Sequence, residues 1–193
     1  MEASLPTTSG ELTEALEPTR RLRFGIKTAP QYTTYDDILR IWREADQIPV
    51  FEHAWVFDHL IAVGDDRSGP CLEGWTLLSA LAAATERLRV GVMVTSNTFR
   101  HPALLAKMAA TVDQMSHGRL DFGIGAGWNA REHASTGIPL YPPSERIDRL
   151  AEACELISTS SGSLSFLKAV RPPMEARGGA NTLWLALERR ALG

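Results

Sequence analysis

The sequence predicts an α/β fold built on a parallel sheet, and three observations predict it. Short apolar, β-branched runs begin near residues 22, 53, 88 and 119, roughly one every 30 to 35 residues. The stretches between them carry apolar residues at helical spacing, which makes the chain alternate strand and helix. The fourth run, Leu120 to Ile124, passes straight into a loop with Gly125 and Gly127. Open loops at the carboxyl ends of parallel strands are where such folds place their chemistry. On pattern alone, a closed barrel and an open doubly wound sheet both satisfy these observations.

The elements follow in order. Residues 1–20 are polar, with Pro6 and Pro18, and are expected to form a flexible leader. Leu22 to Lys27 reads as the first strand. Thr34 followed by Asp37 is a capping-box variant, and Ile38, Ile41, Trp42 and Ala45 then form one helical stripe. His53 to Phe57 reads as the second strand and ends in Asp58-His59. Leu72 to Thr85 is a helix rich in alanine and leucine.

Leu88 to Val94 is the third strand, apolar enough to be buried on both faces. His101-Pro102 opens a helix with proline in its first turn. Leu104, Leu105, Met108, Val112 and Met115 make its apolar stripe, and Ser116-His117-Gly118 stops it. After the fourth strand, Pro142-Pro143-Ser144 starts a last regular helix with Ile147, Leu150, Ala151, Cys154 and Ile157 on one face. Beyond Ile157 the rhythm stops in a serine run. Ser163 to Val170 reads as a weak strand and Asn181 to Leu192 as helical. Residues 158–193 are thus expected to be an irregular tail, as a truncated or frameshifted gene would leave.

Composition bounds the function. At 193 residues, 44% hydrophobic and 22% charged, the chain has the make-up of one globular domain. A net charge of -3 argues against nucleic acid as a partner. No apolar run approaches the roughly 18 residues a membrane span needs, and no secretory signal is present, so the expected location is cytoplasmic. Cys71 and Cys154 have neither disulfide-framework nor metal-site spacing, and no His/carboxylate pair has ligand spacing, so no metal is expected.

The chemistry-bearing residues cluster at strand ends. Asp58 and His59 follow strand two, where a histidine is placed to move a proton near neutral pH. The neutral amides Gln31 and Asn97 follow strands one and three, suited to the edge of a flat polar ring. Gly125-Ala126-Gly127-Trp128-Asn129-Ala130 satisfies G-x-G-x-x-A, so a Rossmann loop must be weighed. Two points oppose it: the acidic residue some 20 positions on falls on an amphipathic helix, and no helix is expected to open directly after the loop. His101 reads as a structural cap; Glu132 and His133 could face the same mouth, with a solvated loop the favoured reading for both.

The segment TSNTFRHPALLAKMAATVDQMSHGRLDFGIGAGWNAREHASTGIP, with FGIK, AWVFDH, LEGWTLLSALAAATERLRVGVMV and PPSERIDRLAEACELI around it, resembles the bacterial luciferase-like monooxygenase superfamily. It is most similar to the branch of deazaflavin, coenzyme F(420)-dependent oxidoreductases. The resemblance implies a (β/α)8 TIM-type barrel, of which residues 21–157 match the N-terminal half, about four parallel βα units. It implies a flavin or deazaflavin at the carboxyl-end mouth, FMN or coenzyme F(420), and hydride transfer or oxygen insertion on a small organic substrate.

It also implies a non-proline cis peptide between Met93 and Val94. Ring contacts map to Gln31, Asp58, His59 and Asn97, and Gly127-Trp128 lies on the loop after strand four. His59 is then the expected proton donor or acceptor, with Asp58 as its orienter. Trp128 stands where related dehydrogenases can carry a catalytic glutamate. A homodimer is the family habit. The alternative is an inactive remnant that keeps the ring-support face without a phosphate site.

Overall fold

The computed structural model describes residues 22–66, 68–159 and 185–187. In chain order the elements are β1 (Phe24–Lys27), α1 (Tyr35–Asp46), β2 (Phe51–Val56), α2 (Gly74–Ala83), β3 (Arg89–Ser96), α3 (Pro102–Met115), β4 (Leu120–Gly125), α4 (Ala130–Thr136), α5 (Pro143–Thr159) and β5 (Leu185–Leu187). The sheet runs β1-β2-β3-β4-β5, its first three pairings parallel and the last antiparallel. Strands that are neighbours in sequence are neighbours in space throughout. A doubly wound sheet reverses its strand order at a switch point, and no such reversal occurs among the described strands. The order is that of a barrel wall.

Period two divides the sheet. Ala54, Val56, Val90, Val92, Phe122 and Ile124 are buried and join Trp42, Trp75, Leu78, Leu81, Leu105, Leu150 and Ile157 of the helices in one core. The alternate positions His53, Trp55, Arg89 and Asp121 take the other face. There His53 Nδ1 donates to Asp121 at 2.7 Å and Arg89 Nε donates to the same carboxylate at 2.7 Å. Gly91 lies between them. A Cβ there would stand 2.4 Å from the Asp121 carbonyl and 2.4 Å from the Trp55 ring, so only glycine fits. The expectation of a third strand buried on both faces holds on the helix side alone, since Arg89, Met93 and Val94 are only half-buried.

Caps start the helices as their residues suggest. Thr34 accepts from the Asp37 N–H, and His101 accepts from the Ala103 N–H. Two helix faces differ from the apolar stripes. On α3 the buried side is Leu105, Ala106, Ala109 and Val112, while Leu104 is 55% and Met115 41% exposed. Packing between α2 and α5 selects the alanines, which let the helices approach. On α5, Arg146, Leu150, Ala153 and Ile157 are buried and Ile147 is exposed.

Residues 1–20 and Ser163–Val170 lie outside the described residues. Within the expected helix Asn181 to Leu192, Leu185–Leu187 is instead a strand, drawn into extended form by ladder bonds to Phe122–Ile124. Among the described residues, no helix is long and apolar enough to cross a membrane.

Candidate active site

The carboxyl ends of β2, β3 and β4 converge on a cavity of about 210 Å³. Each strand reaches it differently. Past Val56 the chain turns out through Phe57, Asp58 and His59. In β3 the register with β4 shifts between Val92 and Thr95, and within that irregularity the Met93–Val94 peptide is cis. Past Gly125, the loop turns at Gly127 with φ +75°, where a Cβ would come 2.7 Å from Thr98 Oγ1 and 2.9 Å from Ser96 Oγ.

Asp58, His59, Met93, Val94, Gly127 and Trp128 all line this cavity. Gln31 and Asn97 do not. Gln31 clamps the loop after β2, its amide donating to the Val63 carbonyl at 3.1 Å and accepting from the Val63 N–H at 2.7 Å. Asn97 lines a separate cavity between α3 and α5. Both amides stand beyond the expected strands, but their side chains turn away from the mouth.

The orienter of His59 is Glu132, not Asp58. Glu132 is fully buried and accepts from His59 Nδ1 at 2.9 Å and from the N–H groups of Leu60 and Ile61. A carboxylate only accepts, so Nδ1 carries the proton and Nε2 is left as the acceptor. The Trp128 ring lies edge-on to His59, with centroids 6.0 Å apart. Asp58 is occupied elsewhere: it takes both arms of Arg100, at 2.7 and 2.8 Å, and the Ser96 N–H at 2.9 Å. Burial pushes its carboxyl up, against the pull of Arg100 and the Ser96 amide. Arg100 also reaches Glu73, the N-cap of α2, and so ties both ends of the β2–α2 loop to the loop after β3.

The reading of residues 132 and 133 as a solvated loop is also overturned, since both are buried and belong to α4. Asn129 caps this helix by accepting from the Glu132 N–H, and Gly137 ends it in the left-handed region. The spacing Asn129-x-x-Glu132 is a capping pattern that would have announced the helix. His133 Nδ1–H donates to the Asn129 carbonyl at 2.7 Å, so Nε2 accepts from Thr98, which in turn accepts from Ser96; both of these steps are also 2.7 Å. A chain of hydroxyls therefore leads from the cavity to a buried imidazole. The side-chain amide Nδ2 of Asn129, a cavity-lining residue, has no partner among the described residues. Among the described residues, no group of His, Cys, Asp and Glu has the arrangement of a metal site.

Residues 15–165 match the sequence profile described as luciferase-like monooxygenase. The chain belongs to that family. It is 33% identical over 139 residues to the F(420)-dependent glucose-6-phosphate dehydrogenase of Microbacterium testaceum, covering 71% of this chain and 40% of the relative. Among solved structures it is similar to an F(420)-dependent secondary alcohol dehydrogenase in complex with an F(420)-acetone adduct. That match has a TM-score of 0.65 at 22% identity and covers 87% of this chain and 47% of the other.

It also resembles the FMN complex of 3,6-diketocamphane monooxygenase from Pseudomonas putida, with a TM-score of 0.59 at 18% identity over 83% and 46% of the two chains. Against these relatives the chain spans less than half their length. Its four parallel βα units are those of the (β/α)8 barrel type, seen here as about half a barrel.

Two buried carboxylates, Glu132 at the mouth and Asp121 beside His53 and Arg89, set a pH dependence. Burial of Glu132 raises its carboxyl, but the hydrogen bonds from His59 and the Leu60 amide outweigh this and hold it below the ordinary value of 4.5. Burial of Asp121 is likewise outweighed by His53 and Arg89, which hold it below 3.8. A carboxyl depressed by folding adds stability above its unfolded value and loses it as pH falls through the folded one. Urea midpoints are therefore expected to hold steady from neutral pH to about 5 and to fall steeply in the more acid range. A midpoint unchanged at pH 3 would contradict the geometry of both carboxylates.

Proposed function

We propose that this chain serves a flavin- or deazaflavin-dependent oxidoreductase, with coenzyme F(420) or FMN bound by its ring at the mouth described above. One observation carries the reading. A histidine held by a buried carboxylate opens its free nitrogen onto a cavity whose wall is the irregular peptide of β3. Two features fit a flat ring with polar edges: the unpartnered donor Asn129 Nδ2, and the close approach of loops that a Cβ at Gly127 would block. The cavity, at about 210 Å³, is smaller than the roughly 300–1,000 Å³ usual for a whole ligand. It suits the ring and not the phosphate-bearing tail.

When bound, the group would supply hydride or oxygen chemistry. The chain's own residues supply the rest. Met93 and Val94 would back the ring, and Asn129 Nδ2 would hold an acceptor on its edge. Trp128 shields one side of His59 from water. His59 Nε2 takes or returns a proton of the substrate, and Glu132 stabilises the imidazolium so formed. Dehydrogenation of a small alcohol or oxygen insertion both use these roles.

The test is a fluorescence titration of the full chain with FMN and, in parallel, with the deazaflavin coenzyme. Saturable micromolar binding of one, weakened at least tenfold by Gly127→Val, is the expected result. If neither binds, the reading fails, and a remnant lacking a tail site takes its place.

A further inference from the structure

The cavity between α3 and α5 holds a buried charge that no carboxylate among the described residues balances. Arg146, in the first turn of α5, is 7% exposed. Its Nη1 donates to the Gly127 carbonyl, and its buried Nε has no partner among the described residues. Arg89, Arg100 and Arg149 each pair with a carboxylate, whereas Arg146 has none within 4.0 Å among the described residues. Position makes this worse. A cation in the first turn faces the positive end of the helix dipole, where an anion is favoured. Buried charges are normally paired, so this guanidinium calls for a counter-anion from beyond the described residues.

The space for one is present. The cavity measures about 520 Å³ and is lined by Asn97, Tyr141, Arg146, Arg149 and Glu152, among others. Asn97 Oδ1 is a second buried atom without a partner among the described residues. Rotation of that amide turns the acceptor into an N–H donor. Arg149 sits 3.8 Å over the Tyr141 ring and adds a guanidinium at the rim, itself paired with Glu145, while Arg100 lines the cavity already paired with Asp58 and Glu73. Glu152 is the one carboxylate lining the cavity, and it is exposed.

We infer that this cavity binds a small ligand through an oxyanion, a phosphoryl or carboxylate group, seated on Arg146. The guanidinium offers donors in the planar fork that such groups accept. Because Arg146 also holds the Gly127 carbonyl, and Phe99 lines both cavities, an occupant here is coupled to the mouth. The inference does not depend on which cofactor the mouth takes.

The full chain is to be melted in rising inorganic phosphate, glycerol phosphate and acetate, each against sodium chloride at matched ionic strength. A saturable rise in melting temperature beyond chloride is expected for at least one anion. Preference for the two phosphates names the phosphoryl group, and preference for acetate the carboxylate. Arg146→Met is expected to abolish the saturable response. Asn97→Asp, isosteric and leaving Arg146 in place, adds a carboxylate to the cavity and is expected to weaken the response at least tenfold. No response beyond chloride overturns the inference. So does a response retained in either variant that folds; if Arg146→Met does not fold, Asn97→Asp decides alone.

Discussion

Glu132→Gln is expected to leave a folded chain whose His59 carries its proton on the wrong nitrogen. The amide oxygen still accepts from the Leu60 N–H, so the loop after β2 keeps its anchor. The amide NH₂ then faces His59 Nδ1, where the carboxylate stood at 2.9 Å. Two donors cannot face each other, so Nδ1 becomes the acceptor and Nε2 takes the hydrogen. A base at the mouth is thereby converted into a donor. Proton-transfer steps that rely on His59 should slow by about 10²–10⁴.

Nitrogen-15 NMR of the imidazole reads the tautomer directly, without any assay of turnover. An unchanged tautomer would sink the assignment of Glu132 as the orienter. Glu132→Ala goes further, leaving His59 and two backbone N–H groups without their acceptor in a fully buried place. Breaking such a buried charged contact is expected to remove about 3–5 kcal/mol of stability.

What could be read from the residues, and what could not, divides by range. The βα rhythm was legible because each buried strand is a local apolar run, and because Thr34 and His101 announce helix starts within three residues of themselves. The β3 irregularity at Met93–Val94 followed from the family resemblance, not from the residues. The helix faces were misjudged where a wheel cannot tell which neighbours surround it: Leu104 and Ile147 are apolar yet exposed, and Arg146 is charged yet buried. The partners within the site were hidden for a different reason. His59 finds Glu132 across 73 residues and Asp58 finds Arg100 across 42, pairings that only the closing of the sheet creates. Adjacent in sequence, Asp58 and His59 invited a false pairing. Their side chains in fact engage different partners, Glu132 on α4 and Arg100 on the loop after β3.

One core residue reaches the strand that walls the mouth, and its replacement should show it. Trp75 is 1% exposed, packs on Phe122 with ring centroids 6.0 Å apart, and donates from Nε1 to Thr95 Oγ1 at 3.1 Å. Thr95 directly follows the irregular stretch of β3 and is itself fully buried. Trp75→Ala is expected to cost about 3–5 kcal/mol, since the cavity left by an indole relaxes only in part. Trp75→Phe keeps most of the apolar volume but strands the Thr95 hydroxyl, at about 1–2 kcal/mol. Leu78→Ala, in the same helix and core but without a bond to β3, serves as the control at about 2–5 kcal/mol. If Trp75 positions the wall of the mouth, Trp75→Phe should weaken ring binding more than Leu78→Ala does, although it destabilises the chain less. Equal binding in the two variants would reduce Trp75 to a packing residue. The contrast works because urea unfolding and ligand titration read the two roles separately.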